Sequence, residues 1–192
     1  MRHIRDFTIK EFYEYKDALD ADDIFGVFEL FGLDATKMPF DIYEKRLKEI
    51  RAMHLPNKNE GVKKVYKLNG TRYKANLNHL KLLAGQFIDF QSYMGQKDFD
   101  LANVLSVFLI PQQRKFLRWT TPKYNSGYDM EKVQSDIRNH MKIIDANNLR
   151  AFFLESSLLS LKTSKAFLEK KKYKMMMKKE KAQRKQQQGT LG

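Results

Sequence analysis

Chemistry in this chain has to come from histidines, carboxylates or amines, because it has no cysteine. That absence removes disulfides, thiol catalysis and thiolate metal sites together, and fits maturation in a reducing cytoplasm. The four histidines, His3, His54, His79 and His140, are scattered. None stands at a metal-ligand spacing such as H-E-x-x-H, so they read as surface or loop residues. Asp20, Asp22 and Asp23 form the one tight carboxylate group. An EF-hand loop would need a glycine at its sixth position and a closing glutamate in register, and neither is there. These aspartates instead mark a helix start, where carboxylates are favoured. No nucleophile elbow, P-loop or dinucleotide fingerprint occurs. No catalytic residue, metal or cofactor is expected, and the chain reads as non-enzymatic.

The amines are the larger signal. The formal net charge is +13, from 36 basic and 23 acidic residues. From Lys162 onward eleven basic residues face only Glu169 and Glu180, so the tail holds +9 and the preceding part +4. Lys170, Lys171, Lys172, Lys174, Lys178, Lys179, Lys181, Arg184 and Lys185 are the candidate contacts to nucleic acid or another acidic surface. Such density neutralises phosphates without reading sequence. With Tyr173 the sole aromatic there, base stacking has little to work with. Two other readings stand: a membrane-surface helix, for which Met175, Met176 and Met177 offer a thin apolar face, and a solvated helix that aids solubility.

The elements that must position these groups follow from local signals. Thr8 and Glu11 form a capping box before Phe12, Tyr15 and Leu19, predicting a first helix. A second carries Ile24, Phe25, Val27, Phe28, Leu30 and Phe31 and stops at Gly32. A third opens at Pro39, with Phe40, Tyr43, Leu47 and Ile50 at three- and four-residue steps. Asn69-Gly70 between two β-prone runs predicts a hairpin over about 64–75. Apolar-faced helices are expected over Ala84 to Met94 and Phe99 to Ile110, closed by Gly95 and Pro111. Phe116-Leu117-Arg118-Trp119 reads as a short strand, and a helix from about Asp129 to His140 turns Met130, Val133, Ile137 and Met141 inward. A last helix runs from about Asn147 towards Gln187, roughly 60 Å at about 1.5 Å per residue.

The fold class expected is mainly α with a minor β part: a helical domain over 1–161 with an inserted hairpin, and a basic extension over 162–192. Met1 to Asp6 has no long apolar run, and no stretch has the length of a membrane span, so neither a secretory signal nor a membrane partner is expected. The Phe- and Leu-rich stretches at 24–31 and 149–168 offer more apolar face than a chain this size buries easily. Phe25, Phe28, Phe31, Phe152 and Phe153 are therefore the candidates for subunit contacts or core.

The order of parts also carries a likeness. Tyr66-Lys67-Leu68-Asn69-Gly70-Thr71-Arg72-Tyr73 leads into Gly85-Gln86-Phe87-Ile88-Asp89-Phe90, then Ala102-Asn103-Val104-Leu105 through Ile110-Pro111. Gly127-Tyr128-Asp129 and Phe152-Phe153-Leu154 follow. This pattern, over roughly 8–168, resembles small structural or assembly proteins of tailed bacteriophages. The resemblance implies a non-enzymatic component of the phage particle: a portal or tail ring, a connector or a packaged protein. Its partners would be portal, tail or neighbouring ring proteins, other copies of itself in a ring, and packaged DNA at the tail. It would be made in the host cytoplasm and reside in the virion. A tail-assembly chaperone that does not stay in the particle is the competing reading, and a non-specific nucleic-acid-binding accessory protein the third. The lysine-rich extension departs from the family pattern.

Overall fold

The computed structural model describes residues 1–53, 55, 61–78, 82–97 and 99–155. The chain divides into two units, Met1–Phe152 and Phe153–Gly192. Of the second, residues 153–155 are described and are helical. The expected boundary at 161/162 and the basic extension lie outside the described residues. The fold is mainly α, with one small four-stranded antiparallel sheet.

Helix α1 (Ile9–Asp20) begins at the capping box that the sequence predicts: the Thr8 hydroxyl accepts from the Glu11 N–H at 3.2 Å, and the Thr8 N–H donates to the Glu11 carboxylate at 2.7 Å. Arg2 donates to the same carboxylate at 2.8 Å and, with that ion pair as the chief cause, holds its pKa below the usual range. Helix α2 (Ile24–Leu30) is capped by Asp23, which accepts from the Gly26 N–H. Helix α3 (Phe40–Arg51) follows Pro39. Phe7, Tyr15 and Phe31 pack ring against ring, with centroids 4.8 to 6.1 Å apart, and Phe28 stacks on Tyr43 at 5.0 Å. That aromatic cluster ties the first three helices together.

Strands β1 (Val65–Leu68) and β2 (Thr71–Ala75) form the expected hairpin, with Asn69 and Gly70 at φ +46° and +72°. Helix α4 (Ala84–Met94) stops at Gly95 as anticipated. The next element differs from expectation. Helix α5 covers only Leu101–Ser106, and the chain turns at Val107 and Phe108 into strand β3 (Leu109–Lys115). Short apolar runs do not separate helix from strand by periodicity, and here pairing with β2 decides. Pro111 therefore lies within a strand, opposite Tyr73. It is tolerated because β4 (Arg118–Thr120) pairs only with residues 113–115, so the ladder on β3's other side begins beyond it. Phe116 and Leu117, expected within a strand, are instead the turn between β3 and β4.

Helix α6 (Met130–His140) packs on α1, α5 and the sheet, burying Val133 and Ile137. A last helix starts at residue 143, four positions before the expected Asn147, and continues to the end of the described residues. Its start is fixed by chain pairing across the molecule. The Ile9 N–H donates to Met141 C=O at 3.1 Å and the Ile143 N–H to Phe7 C=O at 2.7 Å. Asp136 of α6 is buried yet fully engaged, accepting from the Tyr73 hydroxyl at 2.6 Å and the Asn69 amide at 3.0 Å. Burial, and then this carboxylate, push the Tyr73 phenol well above its usual pKa.

Candidate nucleic-acid interface

The residues singled out in the sequence separate on the structure. Phe28 and Phe31 are wholly buried in the aromatic cluster and Phe153 is buried as well. Of the two roles open to them, Phe28 and Phe31 take the place of core residues in the first unit. Phe152 is partly covered, and Phe25, 58 % exposed, is the one that lies open. The nine tail cations from Lys170 to Lys185 lie outside the described residues, as do His54 and His79. His3 accepts from the Arg5 N–H, and His140 sits exposed at the end of α6. Among the described residues no group of three His, Asp or Glu is placed to hold a metal, and no helix is long and apolar enough to cross a membrane.

The sheet brings together what the sequence had not grouped. Residues paired across an antiparallel ladder share a face, and alternate residues take opposite faces. Tyr66, Leu68, Tyr73, Ala75 and Leu109 are buried on the inner face. The register then sets Lys67, Arg72, Lys74, Arg114 and Trp119 on the other face: Lys67 opposite Arg72, Lys74 opposite Ile110, Arg114 opposite Trp119. No strand of the sheet contains an acidic residue. None of these four cations, nor Lys115 or Arg118, makes an ion pair among the described residues. Arg72 donates through Nε to Gln112 at 2.9 Å, and its guanidinium lies 5.4 Å from the centre of the Trp119 ring.

Surface lysines are commonplace, but like charges directly opposite one another on a sheet work against stability. Lys67 facing Arg72 is such a pair, and no carboxylate on the strands relieves it. Comparison of the chain with family models, curated proteins and solved structures finds no match. The reading of the site therefore rests on its own geometry. At the end of the sheet, Lys64, Lys74, Ala75, Asn76, Ile110 and Thr121 line an open cleft of about 430 Å³. Chemically the whole surface suits phosphate: mobile ammonium groups, a fixed guanidinium, and one indole, 46 % exposed, for a base or sugar.

The turn at its other end is unusual. Phe116 is 100 % exposed and Leu117 89 % exposed, with Arg114, Lys115 and Arg118 beside them. Phe116 holds φ at +56°, a left-handed conformation that costs a non-glycine residue about 1–2 kcal/mol.

A signal for this face was present but averaged away. Residues 61–88 contain six basic residues and 101–128 contain four, and neither stretch has one Asp or Glu. Removing those ten from the 25 basic residues before Lys162 leaves 15 against 21 acidic ones. The nearly neutral body is thus a positive sheet region attached to a negative helical remainder. The net value of +4 concealed both.

Proposed function

We propose that this chain is a non-enzymatic nucleic-acid-binding protein that grips phosphates without sequence readout, in a tailed-phage particle or its assembly. The observation that carries the reading is the acid-free outer face of the sheet, with Lys67, Arg72, Lys74 and Arg114 around Trp119. The resemblance supplies the setting, in which packaged DNA is the natural polyanion. The basic tail would add to the same attraction.

The test is fluorescence anisotropy of the full chain with a short labelled duplex over a range of salt. Replacing Lys67, Arg72, Lys74 and Arg114 together by Gln is expected to weaken binding at least about tenfold and to flatten the log–log salt slope by about 3–4. Thermal melting checks that the variant stays folded. Unchanged binding would place the phosphate contacts elsewhere, and a parallel variant with the nine tail cations as Gln shows whether the tail holds them.

A second reading has its own support. Leu83, Phe87, Ile88 and Met94 are exposed on or beside α4, and Phe25, Phe40 and Ile42 on or near α2 and α3. These apolar faces suit self-assembly or contact with particle proteins, which light scattering with Phe87→Glu and Ile88→Glu would test. Mass spectrometry of intact particles separates a resident component from an assembly chaperone.

A further inference from the structure

The β3–β4 tip presents two large apolar side chains to water at the end of a positively charged strand pair. A two-residue hairpin turn is ordinarily supplied by Asn-Gly, as at Asn69-Gly70 in this same sheet. Here the turn is Phe116-Leu117, with Phe116 held at positive φ and both side chains almost wholly uncovered. Neither chain stability nor solubility is served by that choice. Contact with a partner is.

Three classes of partner take an apolar tip with cationic flanks: a duplex, an anionic membrane or another protein. The rest of the face chooses among them. Lys74 is paired with Ile110, six residues before Phe116 along β3, so it stands about 20 Å from the tip at about 3.3 Å per residue. A membrane entered by the tip would leave Lys67 and Lys74 beyond about 8–10 Å of screening length. A duplex lying along the outer face would meet those lysines and the tip at once. Arg114 on the outer side of β3 and Lys115 and Arg118 on the other hold the turn between cations, as an element entering a groove between two phosphate strands requires.

We propose that Phe116 and Leu117 form a wedge that enters between stacked base pairs of duplex DNA and kinks it. The proposal rests on the phosphate-binding reading of the same face. Apolar wedges of this kind, Phe and Leu among them, unstack a base step and bend the duplex. The cations of the face then contact the phosphates that the bend brings closer.

The experiment uses the full chain, a short duplex with 2-aminopurine at one step, and the same duplex end-labelled for energy transfer. The wild type is expected to raise 2-aminopurine fluorescence and shorten the end-to-end distance. Phe116→Gly with Leu117→Asn, which puts glycine at the turn residue of positive φ, is expected to fold and to bind about 3–30-fold more weakly with the same salt slope. It should do so without unstacking or bending. Binding by the wild type without either signal, or the same signals from the variant, would overturn the wedge and leave the phosphate-binding reading standing. No duplex binding by the wild type would remove both. Tip-dependent binding to phosphatidylglycerol vesicles in preference to duplex would overturn the wedge in favour of a lipid surface.

Discussion

The two hairpins of the one sheet are built for different ends. The first turns on Asn69-Gly70, and its turn is fastened inward: the Asn69 amide and the Tyr73 hydroxyl both donate to buried Asp136 of α6. The second turns on Phe116-Leu117, where backbone strain is accepted and both side chains point into water. One hairpin spends its polar groups on the fold, while the other spends stability on its surface. A turn residue that contradicts its own conformational preference, beside one that obeys it, marks out the second hairpin as the candidate for contact.

The contrast can be broken most strongly at Asp136. Asp136→Ala leaves the buried Tyr73 hydroxyl and the Asn69 amide without their acceptor, and is expected to cost about 2–4 kcal/mol in urea unfolding. Loss of less than about 0.5 kcal/mol would show that the first hairpin is not fastened as described.

Alkali gives a smaller, graded effect with a defined sign. The Tyr73 phenol has a raised pKa in the folded state, so the unfolded chain loses its proton first. Stability from this group is complete below pH about 10 and falls as pH rises further, by up to about 1.4 kcal/mol per unit. Urea midpoints measured on either side of pH 10 should fall less steeply in Tyr73→Phe than in the wild type.

The smallest effect sharpens the comparison from the other side. Giving the second turn a glycine where its φ is positive, Phe116→Gly with Leu117→Asn, should raise stability by about 0.5–1 kcal/mol, because φ strain is relieved and nothing packed is lost. A destabilisation would mean that the tip packs on the body in solution.

What was legible in the sequence follows the same division. The first hairpin, the Thr8–Glu11 capping box, α4 and α6 obey local rules and can be read from a few residues each. Strand β3 could not, because Leu109-Ile110-Pro111 continues an apolar run and ends in a residue that ordinarily closes helices. Only pairing with β2 makes it a strand. The β3–β4 turn carries no Gly, Asn, Asp or Pro, so no turn signal marks it. The basic face needs the register of four strands before its residues share a side. A charge total over the whole body cannot show it, and most of the net charge lies in the tail. Phe28 and Phe31 were visible as apolar, but whether such residues are core or contact depends on what packs over them.

The pairing between the first residues and the segment after α6 has a consequence for synthesis. Lys142 and Asp6, joined in an ion pair, stand 136 positions apart, and the backbone bonds from Ile9 to Met141 and from Ile143 to Phe7 lie beside it. The strands of the first hairpin can meet within microseconds of emerging, but the carboxylate that fastens them, Asp136, emerges only with α6. The backbone of Phe7 and Ile9 must wait for nearly the whole body to be translated, roughly 10–30 s at ordinary elongation rates. A ribosome stalled before residue 143 would therefore hold a nascent chain with an unlatched N-terminus. Completion of the body is a late event, set by the pace of translation.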